Sequence, residues 1–278
     1  MGKKSKILTI GDIHGRSIWK EIVFGSENEF NNWKALDVRL NTYEFLSYDK
    51  IIFVGDYVDS YDKTNEEILE NLKDIVLFAK TYPELVVLLL GNHDVQYIKS
   101  NECCSGYRPE MRSDLNMIFS DNKDIFKIAY LDELDTGVII TKTLWTHAGV
   151  THKWFDSFMK DINSTKYRFN EYFMGSEKWK IDKVLNLAWE LKVDSLFDVD
   201  SDSGGYSLWA GPLWVRPRLL NDFYIKGYDQ VVGHTPQSAV YQTCPLFGVE
   251  SDLHKLDTLT YVDALEYGDF YKLERYKK

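Results

Sequence analysis

Cysteine is scarce in this chain of 278 residues: Cys103, Cys104 and Cys244 are all there are. An odd count with two immediate neighbours does not make a disulfide framework, and a reducing, cytoplasmic setting is the simpler expectation. Long apolar runs are missing too; none approaches the ~20 residues that a membrane span needs. The opening Met-Gly-Lys-Lys-Ser-Lys is basic, but the apolar stretch at 7–10 is too short for a signal-peptide core. Gly2 invites myristoylation, yet Lys6 stands where that motif wants Ser or Thr. Positive charge is in deficit, with 33 Lys+Arg against 43 Asp+Glu and a net charge of −10. That balance argues against a binder of nucleic-acid duplexes or of anionic membranes. It does not argue against a phosphate substrate, because bound divalent ions would dominate the local field. Repeats and low-complexity tracts are absent as well.

What is present is one pattern written five times. Apolar residues 51–54 run into Gly55-Asp56-Tyr57-Val58-Asp59, and residues 6–10 run into Gly11-Asp12-Ile13-His14-Gly15. Residues 85–90 run into Gly91-Asn92-His93-Asp94, residues 138–145 into Thr146-His147-Ala148-Gly149, and residues 230–232 into Gly233-His234-Thr235. Short apolar runs of this kind read as buried strands, and the glycines allow sharp turns at their ends. One such turn with a carboxylate is ordinary turn chemistry. Five of them, each ending in Asp, Asn or His, read as a site, because open α/β sheets gather ligands at the carboxyl ends of their strands.

The set so assembled is Asp12, His14, Asp56, Asn92, His147 and His234. Two carboxylates, one amide oxygen and three imidazoles suit Mn, Fe, Zn or Ni and are too nitrogen-rich for a Ca or Mg cage. Six ligands exceed the roughly three of an open catalytic zinc. They suit two divalent ions roughly 3.5–4 Å apart if Asp56 bridges them.

The motifs G-D-I-H-G at 11–15, G-D-Y-V-D at 55–59, G-N-H-D at 91–94, H-A-G at 147–149 and G-H-T at 233–235 resemble those of the calcineurin-like metallophosphoesterases. Within that superfamily they are similar to the phosphoprotein-phosphatase branch and its bacterial and phage relatives. The tail Tyr261-Val262-Asp263-Ala264 with Tyr267-Gly268 is similar to the family's closing strands. The resemblance implies the metallophosphoesterase four-layer α/β/β/α sandwich, two mixed β-sheets flanked by helices. It also implies a metal-dependent hydrolase that attacks phosphate monoesters in line with a metal-bound hydroxide. Asp12 and His14 then serve one ion, Asn92, His147 and His234 the other, with Asp56 between. His93 is the general acid, Asp59 holds its imidazole, and Asp94 has at most an outer, supporting role.

One departure bears on the substrate. Phosphoprotein phosphatases usually continue G-D-x-V-D with Arg-Gly, where this chain has Ser60-Tyr61. That arginine grips phosphate bidentately. Arg216, in a Leu-Trp-Val-Arg-Pro-Arg segment similar to one bordering the site in relatives, is the candidate substitute, with Arg112 behind it. The substrate is then phosphoserine or phosphothreonine in protein or peptide. The string H-A-G-V-T-x-x-W at 147–154 is similar to diadenosine tetraphosphatases and keeps nucleotide pyrophosphate hydrolysis as an alternative. A metal-binding scaffold without catalysis is the third reading.

Motifs at both ends must meet, so residues 1–278 read as one domain, with insertions near 17–48 and a helical, aromatic-rich cap near 152–225. Trp19, Ile22, Val23 and Phe24 predict a short helix, the Asn- and Glu-rich stretch after it a surface loop, and Trp33, Leu36, Val38, Leu40, Phe45 and Leu46 a second helical piece. Residues 65–80 have helical spacing, with Thr64 and Glu67 as a capping box, so that 51–90 reads as a right-handed βαβ unit. Residues 95–135 read as polar helix broken at Gly106 and Pro109. Trp154, Trp179, Trp189, Trp209 and Trp214 read as packing or as a groove wall, and Val184, Leu187, Ala188 and Leu191 as a helix face. Asp198, Asp200 and Asp202 lack the Gly and Glu of an EF-hand. His152 and His254 read as surface residues, and 236–278 as antiparallel strands completing a second sheet.

Overall fold

The computed structural model describes residues 4–35, 43–99, 104–135, 140–163, 180–199, 204–243, 257–263 and 270–276. Leu36, Val38, Leu40, Cys103, Trp179, Asp200, Asp202, Cys244, His254, Ala264, Tyr267 and Gly268 lie outside them, as does the start of the run at 138–145. In chain order, β1 (Lys4–Ile10) leads to α1 (Ile18–Phe24) and α2 (Glu27–Ala35), and β2 (Lys50–Phe53) to α3 (Asn65–Thr81). Then β3 (Val86–Leu89) leads to α4 (Asn92–Lys99) and α5 (Arg112–Asp121), and β4 (Phe126–Lys127) precedes β5 (Ala129–Asp135) and β6 (Ile140–Thr146). Next come α6 (His152–Ile162), α7 (Ile181–Glu190), α8 (Pro217–Phe223), β7 (Asp229–Val232), β8 (Tyr241–Thr243), β9 (Leu259–Tyr261) and β10 (Phe270–Tyr276).

The strands form two five-stranded mixed sheets, ordered β10-β1-β2-β3-β4 and β5-β6-β7-β9-β8. In the first, β1 to β4 are parallel and β10 is antiparallel to β1. In the second, β6, β7 and β9 are parallel, with β5 and β8 antiparallel at the edges. Strand alternation divides the apolar residues between two faces. Ile7, Ile52, Val54, Val87 and Leu89 turn inward onto Trp145, Val231 and Val262 of the second sheet. Leu8, Ile10, Ile51, Phe53 and Leu88 turn outward and pack under helices, as do Leu144 and Leu259 on the far side. Burial on both faces is why these strands are continuously apolar. Trp145 Nε1 donates to Thr9 Oγ1 at 2.9 Å across the inter-sheet layer. The two sheets lie face to face, with helices packed on their outer sides, as a mixed α/β sandwich.

α3 carries the anticipated capping box: Thr64 Oγ1 accepts from the Glu67 amide, and the Glu67 carboxylate accepts from the Thr64 amide. Its face of Ile68, Leu72, Ile75 and Ala79 is buried, and α3 links the parallel pair β2 and β3. Elsewhere the fold corrects local expectations. The Asn- and Glu-rich stretch is not a loop; it is α2, because Phe30 and Trp33 fall on one helical face and pack on Phe24. Phe45 and Leu46 sit in a 3-10 turn over Glu44–Ser47. Residues 129–135 are not helix; they form the edge strand β5, whose charged residues suit an exposed edge. The last strands do not all complete the second sheet. β9 runs parallel to β7, and β10 closes the first sheet beside β1, where Tyr271 and Leu273 extend the inter-sheet core.

α7 buries Val184 and Ala188 as the spacing predicts. Trp154 is buried and stacked on Phe158 with centroids 4.7 Å apart, while Trp209 is 53% exposed. His152 is half-buried rather than a surface residue, its Nδ1 at 2.9 Å from the Phe223 carbonyl, and it belongs to neither group of metal-ligand candidates among the described residues. Among the described residues no helix is long and apolar enough to cross a membrane.

Candidate metal centre

Asp12 and His14 follow β1, Asp56 and Asp59 follow β2, and Asn92 opens α4 just after β3; His147 follows β6 and His234 follows β7. All six candidate ligands come together. One group joins Asp12, His14 and Asp56, and a second joins Asp56, His147 and His234, each with its ligand atoms within 4.8 Å of one another. Asp56 belongs to both. Asn92 Oδ1 lies 2.9 Å from His147 Nε2 and 2.9 Å from His234 Nδ1. The backbone must bend sharply to deliver these groups. His14 (φ 45°), Asp56 (52°), Asp59 (62°) and His234 (70°) all adopt left-handed conformations, and among the described non-glycine residues only Lys192 joins them. Such conformations cost on the order of 1–3 kcal/mol each and persist where a site demands them. Close packing demands two glycines as well: a Cβ on Gly91 would lie 2.0 Å from Asp56 Oδ1, and one on Gly233 2.2 Å from Asp12 Oδ1.

The outer nitrogens of the three histidines decide what the inner ones present. His14 Nδ1 faces the Val58 carbonyl at 3.0 Å, His147 Nδ1 the Val54 carbonyl at 2.8 Å, and His234 Nε2 the Trp214 carbonyl at 3.0 Å. A carbonyl only accepts, so each outer nitrogen carries the hydrogen and each inner nitrogen of a neutral ring offers a lone pair. The inner lone pairs therefore meet other acceptors: His147 Nε2 and His234 Nδ1 are 3.2 Å apart, and Asp56 Oδ2 is 3.4 Å from His147 Nε2 and 3.8 Å from His14 Nε2. Facing acceptors repel unless a positive charge lies among them. The donor set thus fits divalent cations, with N/O chemistry suited to first-row transition metals.

With no ion bound, crowding displaces the titration of these groups in both directions. Burial and the charges of Asp263 and Asp56 push Asp12 well above the usual carboxylate range. Burial also works to raise Asp56, but the charges of His147 and His93 outweigh it and hold Asp56 well below that range. His147 is lifted, the Asp56 carboxylate overcoming its burial; His234 is pushed well down by burial and by His147. Burial lowers His14.

Beside this cluster, His93 Nδ1 donates to Asp59 Oδ2 at 2.9 Å, and the His93 amide donates to Asp56 Oδ1 at 3.0 Å. Burial alone would depress His93, yet the charges of Asp56 and Asp59 and the Asp59 hydrogen bond raise it to about 9. Asp94 is buried under its own turn. It accepts from the amides of Gly91, Asp56 and Tyr57 at 2.8–2.9 Å, and burial with the Asp56 charge raises it to about 8. Arg216 lies beside His234: its guanidinium donates to the Gly204 carbonyl at 2.8 Å and to Thr235 Oγ1 at 3.2 Å, 5.8 Å from the Tyr206 ring centroid. Arg112 opens α5.

Sequence reasoning missed several neighbours. Gln96 and Tyr97 both donate to Asp59. They lie three and four positions after His93, so helical spacing alone places them on its face. Arg16 donates to the His14 carbonyl at 3.1 Å and to Asp62 at 2.6 Å, and Ser60 Oγ donates to the same Asp62 oxygen at 2.8 Å. Nothing in the pattern of residues 60–62 announces that arrangement.

An α/β sandwich whose strand ends gather histidines, carboxylates and an amide into two groups around one aspartate is the architecture of a metal-dependent phosphoesterase. The model of the calcineurin-like phosphoesterase family matches residues 5–238, and the chain belongs to that family. The enzyme is accordingly a metallophosphoesterase hydrolase. No curated protein matches the chain. Among solved structures, it is similar to a cold-active protein-tyrosine phosphatase of a psychrophilic Shewanella species, at 16% identity over 97% of this chain and 75% of that one, with a TM-score of 0.48. It is also similar to a protein serine/threonine phosphatase from Saccharomyces cerevisiae, at 15% identity over 95% and 70%, with a TM-score of 0.44. The phosphatase domain of the Legionella effector WipB is similar at 13% identity over 77% and 82%, with a TM-score of 0.42.

Proposed function

We propose that the enzyme is a dinuclear phosphomonoesterase acting on phosphoserine or phosphothreonine in a protein or peptide. The observation that carries this reading is the ring of inward lone pairs on either side of Asp56. Asp12, His14 and Asp56 hold one divalent ion; Asp56, Asn92, His147 and His234 hold the other. Manganese is the first choice among Mn, Fe, Zn and Ni. When bound, such a pair supplies Lewis acidity, lowers the pKa of water and neutralises phosphoryl charge. This chain's own residues do the rest. Arg216 receives phosphoryl oxygens at the His234 end. His93 gives the proton on Nε2 to the leaving oxygen, while Asp59 fixes its Nδ1–H and keeps the ring charged. Because motifs from β1 to β7 build a single site, residues 1–278 act as one domain, with 17–48 inserted and 152–225 forming an aromatic-rich cap.

Nucleotide pyrophosphate hydrolysis is the second reading. It is favoured by Tyr206, 66% exposed beside Arg216, and by exposed Trp209 and Tyr61, which offer faces for a base. Against it, the string at 147–154 has local work of its own. Thr151 Oγ1 caps α6 by accepting from the Trp154 amide at 3.2 Å, and Trp154 is core. Incubation of manganese-loaded protein with a phosphoserine peptide and with diadenosine tetraphosphate separates the readings. Turnover of the dinucleotide alone reverses the ranking, and turnover of neither, with both metals retained, favours a scaffold.

A further inference from the structure

We propose that Cys104 is a positioning residue for Asn92, the group that turns the Asn92 amide oxygen toward His147 and His234. This rests on the dinuclear reading above. The Asn92 side chain has two chemically distinct ends. Its oxygen lies 2.9 Å from both histidine nitrogens. Its nitrogen donates to Cys104 Sγ at 3.2 Å, and the thiol donates in turn to the Asn92 carbonyl at 3.4 Å. One small neutral group thus accepts from the side chain and donates to the backbone of the same residue, which fixes the amide against a half-turn. A flipped amide would set its oxygen on sulfur and present N–H groups where a cation needs a lone pair.

Cys104 is itself held. Its amide donates to Gln96 Oε1 at 3.0 Å, and Gln96 donates to Asp59, the partner of His93. The residue therefore ties the amide ligand on one side to the carboxylate behind the general acid on the other. Cys104 is half-buried and belongs to neither metal group among the described residues, so its sulfur acts through Asn92. Groups that orient a ligand from behind commonly govern metal affinity about 10–100-fold.

The test titrates manganese calorimetrically into chelator-stripped wild type, Cys104→Ser and Cys104→Ala, with circular dichroism to establish folding. Wild type is expected to take up two ions. Cys104→Ala is expected to bind one of them about 10–100-fold more weakly and the other unchanged, and the Ser hydroxyl to recover part of the loss. The native thiol gives an independent arm. In a Cys103→Ser, Cys244→Ser background, alkylation of Cys104 by N-ethylmaleimide, located by mass spectrometry, is expected to release one manganese. Folded Cys104→Ala or alkylated protein that binds both ions with wild-type affinity overturns the inference. Wild type that binds fewer than two ions overturns the dinuclear reading beneath it.

Discussion

Asp56 Oδ2 stands between two imidazoles that belong to different halves of the centre, 3.8 Å from His14 Nε2 and 3.4 Å from His147 Nε2. The two halves therefore share one carboxylate, and removing its charge affects both. Asp56→Asn is expected to lower metal content below two ions per chain. Because an ion pair of this kind supplies several kcal/mol to the transition state, activity is expected to fall about a thousandfold or more. Elemental analysis alongside phosphatase assays checks this; retention of two ions by the variant would remove Asp56 from the bridging role.

His93 is expected to behave as a proton donor. His93→Ala should lower kcat about 10²–10⁴-fold while metal content stays at the wild-type level. Unchanged kcat would take His93 out of the reaction.

In metal-free protein the His93 imidazole is expected to titrate near 9, up from its ordinary 6.5. A folded-state pKa above the unfolded one contributes stability that is fully present below pH 6.5 and fades as pH rises through about 9. Asp59→Asn removes the hydrogen-bonded carboxylate and should move the titration down and shrink that alkaline loss. NMR of the histidine ring, with melting curves at matched pH, measures both. If His93 still titrates near 9 in the Asp59→Asn variant, Asp59 is not what raises it.

Stripping the ions leaves buried carboxylates and imidazoles crowded together without their cations, so chelator treatment is expected to lower Tm and abolish turnover, both recovering with added manganese. At free metal a hundredfold above Kd, each bound ion adds about 2.7 kcal/mol to the stability of the folded state. A Tm indifferent to manganese would contradict the cation reading of the lone-pair cluster.

Arg216→Ala is expected to raise KM for a phosphoserine peptide and weaken inhibition by inorganic phosphate, each on the order of tenfold for the loss of a charge-assisted contact. Because its guanidinium also holds the loop at Gly204 and Thr235, Arg216→Lys should recover little of the loss, a point charge being unable to serve all three partners. Equal phosphate inhibition of wild type and Arg216→Ala would clear Arg216 of that role.

The strand ends were legible because each motif closes an apolar run, and a run buried on both faces leaves few alternatives. The cap of α3 was legible because Thr64 and Glu67 satisfy each other within one turn. Elements whose identity depends on distant partners were not. α2 is largely Asn and Glu, and only Phe30 and Trp33, packed on Phe24, betray its helical face. β5 is polar because one edge of it faces solvent, and that polarity reads equally well as helix. The supports of Asp59 were missed for a different reason: Gln96 and Tyr97 carry no motif and are found only by asking what shares a helical face with His93.

The antiparallel pairing of β10 with β1 has a consequence for biosynthesis. A nascent chain halted before residue 270 leaves the β1 flank open as a ready template for foreign strands, while the candidate ligands at the tips of β1, β2 and β3 have already been made. Assembly of the enzyme on the ribosome is therefore exposed to off-pathway association until β10 emerges, and truncation before it should yield aggregate rather than a smaller phosphatase.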